Sequence, residues 1–302
     1  MINLFIKNSL LLLLACRILL ALRSQRIFMF FLFLELRVIS FLRRVETKSS
    51  GILNYFLVQR WSSLLVIIRF FVRRVYLKSL CFFRGVLVKL GGAPLHFWFP
   101  SISANLSWKD NLNLFIFIKI LPLYLFFLNC KRDVRRILGV LNCLVGLWGG
   151  LRVYCYRKIL AYSSINHLGW ILLRAVKLEF LIFYFLCYSL INVAVILNLL
   201  KLNLNFYRER IPRTGLLISL LSLRGLPPLF GFVPKWVVLN FYYLENIRVF
   251  WLILCVRVLG VFFYIRALLK TFMVNNSYSY LITNVGVHRI FSLRGIWIFI
   301  SL

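Results

Sequence analysis

The chain has 302 residues, 62% of them hydrophobic, and a mean hydropathy of +0.90. A soluble domain runs nearer half apolar, so this composition excludes an ordinary soluble enzyme and predicts an all-α, polytopic membrane bundle. A net charge of +31 would by itself suggest nucleic acid or anionic lipid, but the charges are scattered through apolar runs and form no polar basic domain, which argues against nucleic acid.

At roughly 25–30 residues per span and loop, the length allows about ten or eleven transmembrane helices, some of them discontinuous, in a single integral-membrane domain, residues 1–302. Taken in order, the apolar runs predict spans at 3–22, 26–42, 51–72, 77–92, 111–128, 136–151, 156–176, 179–200, 214–241 (broken), 249–270 and 286–302. The first run resembles a signal segment, with Lys7 before its leucines and Leu13-Leu14-Ala15-Cys16 like a lipoprotein box. It continues apolar past Cys16, however, and reads as a first helix. Residues 93–110, 201–213 and 271–287 read as the longer polar connections. Eight Trp and fourteen Tyr can furnish the aromatic belts of a membrane protein. Lys131 and Arg132 fall opposite Lys158 and Lys201, so loop charge gives no orientation. The seven cysteines contain no C-x-x-C pair and read as reduced, buried thiols rather than a metal site.

Three places combine helix breakers with an apolar-flanked lysine. The first is KLGGAPLHFWFP from Lys89, the second IKILPLY around Lys119, the third LRGLPPLFGFVPKW ending near Lys235. A proline frees the carbonyl four residues earlier. Pro94 would free Leu90 beside Lys89, and Pro122 would free Ile118 beside Lys119; Pro227, Pro228 and Pro234 lead into Lys235, where the freed Phe230 carbonyl is over a turn away and the pairing looser. Broken backbone and ionisable groups at membrane depth persist only within protein or a water-filled cavity. Desolvation also brings the charged and neutral forms of a lysine closer in free energy, so such a lysine could exchange protons near neutrality. The alternative is that each lysine sits near a span end and snorkels to the headgroups.

Glu35 lies deep in FMFFLFLELRVISFL, where a carboxylate is a functional candidate or else a partner for an arginine such as Arg37. His96 and His167 are candidate proton relays, or core histidines held by a hydrogen bond; His288 reads as peripheral. Ser163 or Ser164 with His167 lacks a nearby carboxylate to orient a base, which argues against a hydrolase. GGAP and LPPLFG match no dinucleotide or phosphate loop.

Together, KLGGAPLHFWFPS, the Lys119–Pro122 segment, RKILAYSSINHLGW, GLPPLFGFVPKW, LEL around Glu35 and ETKSSGILNYFLVQ resemble the subunit 2 family of mitochondrial NADH–ubiquinone oxidoreductase, respiratory complex I. The resemblance runs in order from about residue 30 to 240. It implies an antiporter-like, proton-translocating subunit whose activity is coupled to electron transfer from NADH to ubiquinone. By motif position, Glu35 matches the family's glutamate, Lys89 its paired lysine, Lys119 the central lysine and Lys235 the distal one. It further implies no cofactor in this chain, with NAD, flavin, iron–sulfur clusters and ubiquinone in other subunits. The implied partners are the other membrane-arm subunits and the lipid bilayer, cardiolipin included, and the implied location is the mitochondrial inner membrane, multi-pass. One span before Glu35 resembles the shortened animal form of the family. The rival readings are a free-standing cation/proton antiporter or secondary transporter, and a structural subunit whose lysines bind neighbours or cardiolipin.

The departures from the family are arginines. Of 38 basic residues 26 are Arg, against only seven acidic residues. Arg17, Arg69, Arg84, Arg224, Arg257, Arg266 and Arg294 interrupt candidate spans, and Arg37, Arg43, Arg44, Arg60, Arg73 and Arg74 stand where the family has small or polar residues. Many animal mitochondria read AGA and AGG as serine. Conceptual translation with another code would write those serines as arginine.

Overall fold

In a computed structural model of the chain, the described residues are 27–44, 51–71, 75–153, 155–175, 177–204, 211–227 and 229–276. All regular structure among them is helical. The helices are α1 (Ile27–Arg44), α2 (Gly51–Phe71), α3 (Val75–Leu90), α4 (Trp98–Asn105), α5 (Trp108–Phe115), α6 (Phe117–Asn129), α7 (Arg132–Arg152), α8 (Tyr156–Leu173), α9 (Leu178–Leu204), α10 (Ile211–Arg224), α11 (Phe232–Glu245) and α12 (Ile247–Asn276). The expected spans 3–22 and 286–302, together with Glu46, Arg73, Arg74, Pro228 and His288, lie outside the described residues. By length and composition, three segments among those described are long and apolar enough to cross a membrane: Trp108–Asn129, Arg132–Arg152 and Leu178–Lys201.

Two hairpins frame the interior. α2 packs along α3, and α7 along α8. The second pair approaches closely because it lacks side chains at the crossing: a Cβ on Gly169 would stand 2.6 Å from both Cys143 Sγ and the Gly139 carbonyl. α9 pairs with α10, α6 lies against α3, and α12 against α7. α8 is buried along nearly all its length, from Ile159 to Leu173, with Tyr162 the partly exposed exception. α4, α5, α7, α9 and α11 all pack on it.

The region 93–110, expected as a polar connection, contains α4 and the start of α5. Pro100 falls in the first turn of α4, where no helical hydrogen bond needs its missing N–H. Ser107 caps α5: its Oγ accepts from the Asp110 N–H at 3.3 Å and donates to Asp110 Oδ2 at 2.6 Å. The break expected at Pro122 lies upstream instead. Ile116 separates α5 from α6, and the Lys119 N–H bonds the Ile116 carbonyl in a tight turn. Pro122 continues inside α6, where its ring crowds the Ile118 carbonyl and favours interruption of the preceding turn.

The other two breaks share one geometry. α3 ends at Gly91 with φ +66°, and α10 at Gly225 with φ +75°. In each, two consecutive N–H groups turn back into the last turn. Gly91 bonds Val88 and Gly92 bonds Leu87; Gly225 bonds Ser222 and Leu226 bonds Leu221. A glycine thus closes each helix in the left-handed region, and the proline follows after the helix has ended.

Candidate functional site

The breaks deliver their lysines to the interior. Lys89, Lys119 and Lys235 are 1%, 2% and 1% exposed, which rules out snorkelling within the described bundle. Neither Lys89 nor Lys119 is held by the carbonyl its proline was expected to free, and Lys235 is not held by that of Phe230; it bonds Leu223 and Arg224, the residues four before Pro227 and Pro228.

Lys89, in the last turn of α3, donates to Glu35 Oε1 at 3.1 Å across to α1. The second Glu35 oxygen accepts from Arg60 Nη1 of α2, also at 3.1 Å. Arg37, weighed as the partner of Glu35, points elsewhere: positions two apart on a helix face different ways. The end of α3 is fixed by Trp98, whose indole N–H donates to the Val88 carbonyl, and by Asn142 of α7, whose Oδ1 accepts the Ala93 N–H at 2.8 Å.

Lys119 donates to the carbonyl of Ser164 at 3.2 Å and to its Oγ at 3.1 Å, and lies 4.6 Å from the centre of the Phe99 ring. The Ser164 hydroxyl gives its own proton to the Ala161 carbonyl, so a lone pair is free to face the lysine. Lys235 donates to the carbonyls of Leu223 at 2.7 Å and Arg224 at 2.8 Å. These are the last carbonyls of α10, where the helix dipole favours a cation. The Gly225 carbonyl is taken by Arg257, so the end of the broken helix is satisfied. Trp170 stands 5.9 Å from Lys235 Nζ.

His167 lies between these two lysine sites in the sequence of α8. Ser164, His167 and Trp170 are spaced three apart on α8 and share one face. Ser164 bonds Lys119, the Trp170 ring lies against Lys235, and His167 stands between them on α8. Its Nδ1 meets the Tyr184 hydroxyl at 3.2 Å, and its ring packs 5.0 Å from that of Tyr188. At 1.5 Å rise per residue the ladder spans about 9 Å. His96 belongs elsewhere: its Nδ1 meets the Pro94 carbonyl at 3.2 Å and its ring lies against Phe97 and Tyr162.

Among the described residues, Lys89 is the only one of the three lysines with a carboxylate partner. Lys119 and Lys235 are held by neutral acceptors and ring faces. Sequence reasoning missed those acceptors because backbone carbonyls leave no mark in composition. The Ser-x-x-His-x-x-Trp spacing was the available signal.

The family model described as "NADH:quinone oxidoreductase/Mrp antiporter, TM" matches residues 73–263. The NADH-ubiquinone oxidoreductase chain 2 of Anopheles gambiae is 32% identical, over 89% of this chain and 87% of that protein. The protein of the same name from Aedes aegypti is 34% identical over 66% of this chain and 61% of its own length. Among solved structures, a chain of respiratory complex I from Thermus thermophilus with bound aureothin superimposes with a TM-score of 0.73 at 22% identity, over 86% of this chain and 69% of that one. A chain of the Mrp complex from Dietzia sp. DQ12-45-1b gives 0.76 at 18% identity, with this chain spanning 59% of its length. The buried lysines at the helix breaks thus sit in a multi-pass membrane chain that belongs to the NADH-ubiquinone oxidoreductase chain 2 family, within the NADH:quinone oxidoreductase/Mrp antiporter proteins.

Proposed function

We propose that the chain is a membrane-arm subunit of respiratory complex I in the mitochondrial inner membrane, where it forms one proton-translocating unit driven by electron transfer from NADH to ubiquinone elsewhere in the complex. Lys119, His167 and Lys235 pass protons through the interior, and Glu35 with Lys89 forms the charge switch. The observation that carries this reading is the environment of Lys119: buried, without a counter-ion among the described residues, and bound by neutral oxygens. Such a site serves an amine or an ammonium, since both donate hydrogen bonds, so neither form is locked in.

The switch works by repulsion. While Glu35 holds Lys89, the charge of Lys89 is balanced and Lys119 keeps its proton. When that pair opens, an added 1.4 kcal/mol or so of repulsion lowers proton occupancy at Lys119 about tenfold. The proton then moves along α8 by way of His167 to Lys235. NAD, flavin, iron–sulfur clusters and ubiquinone belong to other subunits in this reading. Its support is the scatter of the cysteines and the lack of a dinucleotide loop. Cardiolipin is a natural lipid neighbour for so basic a chain.

Lys119→Met keeps length and removes the titrating group. In assembled complex reconstituted into vesicles, coupled proton uptake is expected to fall about tenfold or more, the scale set by loss of a positioned proton-transfer group. An assembled variant that turns over and pumps normally would make Lys119 structural and end the relay.

A further inference from the structure

The buried side of α2 carries a polar stripe that the relay does not use. Tyr55, Gln59 and Ser62 follow one another at i, i+4 and i+7, on one face, and none is more than 1% exposed. Ser62 satisfies itself by donating to the Gln59 carbonyl at 2.6 Å. Among the described residues, the Tyr55 hydroxyl and both polar atoms of the Gln59 amide have no hydrogen-bond partner. Buried polar groups are nearly always paired, and where protein cannot pair them an internal water usually does.

The stripe lies beside the switch. α2 and α3 form a hairpin in which Gly85 packs on the Ser62 carbonyl and on Val66. Lys89, one turn further along α3, therefore comes level with the turn of α2 that bears Gln59 and Arg60. Arg60 holds one oxygen of Glu35 while Lys89 holds the other. Tyr55 is one turn nearer the α3 break, its ring 6.0 Å from that of Trp98, which caps Val88. The unpaired atoms thus lead from the break to the Glu35–Lys89 pair.

We propose that this stripe is an internal hydration site, in which water bridged between the Tyr55 hydroxyl and the Gln59 amide carries protons between the α3 break and the Glu35–Lys89 pair. Each water passes one proton on and regains one from the next, so the chain of water is unchanged after each transfer. Gln59 is a positioning residue, acting through the water it holds. The inference rests on the relay described above.

The test is made on the assembled complex. A high-resolution density map is expected to show ordered water at hydrogen-bonding distance, about 3 Å, from the Gln59 amide. Gln59→Leu is expected to remove it and to slow coupled proton uptake about tenfold, which is about 1.4 kcal/mol on the barrier. It should also enlarge the solvent isotope effect and leave NADH oxidation by a quinone-independent acceptor unchanged. Gln59→Asn should restore much of the uptake. If Gln59→Leu does not assemble, Tyr55→Phe, which removes a single oxygen, decides by the same readouts. A dry stripe overturns the proposal, as does a hydrated one whose variants pump at the wild-type rate and isotope effect. Lys119→Met separates the two ideas. If it is impaired while the α2 variants are not, only the hydration route fails; if all are unaffected, the relay fails with it.

Discussion

Lys119 and Lys235 keep their place at depth because each has two oxygen acceptors and an aromatic ring beside it. Arg37 has none among the described residues: its three guanidinium nitrogens are buried and unbonded. On insertion scales a mid-helix charge costs about 2.5–3.5 kcal/mol, and without acceptors that cost stands uncompensated. Serine would suit such a position. Ser40, Ser62, Ser163, Ser164, Ser219 and Ser222 each donate to a carbonyl three residues back in their own helix, which makes a buried hydroxyl self-sufficient. We therefore expect serine at many mid-span arginine positions of the natural protein. Peptide mass spectrometry across Arg37, Arg69, Arg84, Arg224 and Arg257 checks this; arginine at all five refutes it and calls for acidic partners in neighbouring chains. The lysine contacts do not depend on the outcome, because none of them uses a guanidinium; with serine at position 60, Glu35 would lose its second partner and keep Lys89.

At the scale of elements, helix positions were legible wherever apolar runs were long. The spans read at 51–72, 136–151 and 179–200 match α2, α7 and α9 closely. The breaks at Gly91 and Gly225 were also marked, because glycine followed by proline ends a helix. What stayed hidden was nonlocal. The proline rule assigned Lys89 and Lys119 to carbonyls of their own helices, whereas the structure gives them to α1 and α8; for Lys235 the rule does reach the acceptors, since Leu223 and Arg224 of α10 lie four residues before Pro227 and Pro228. α4 was missed because its WFPSISAN sequence is short and carries a proline. The glycine at 225 can be tested directly. A side chain there meets φ +75°, which costs roughly 1–2 kcal/mol, and its Cβ would stand 2.7 Å from the Gly231 carbonyl and 3.1 Å from Lys235 Cδ. Gly225→Ala is expected to lower assembly and to depress coupled proton uptake in whatever complex does assemble. Gly51→Ala, where the nearest atom is 3.3 Å away and the backbone is helical, should be tolerated. Equal behaviour of the two variants would mean that the shape of the break does not set the position of Lys235.

At the scale of the molecule, the function proposed above divides the work between chains: proton transfer in this one, electron transfer in others, with the drive reaching this chain from outside. The Glu35–Arg60 pair shows where such coupling could enter. Its side chains are 15% and 45% exposed on a face of α2 that also presents Leu57, Trp61 and Leu64. An ion pair open to hydrocarbon is costly, so at membrane depth this face needs protein against it. The expected outcome is that the chain is isolated from its native membrane within a large assembly that oxidises NADH. Separated from that assembly, it should show neither NADH oxidation nor the absorbance of flavin or iron–sulfur clusters. A small homo-oligomer that exchanges cations for protons would favour the antiporter reading. A flavin or cluster spectrum in the purified chain would place electron transfer here after all, and the division of labour would have to be abandoned.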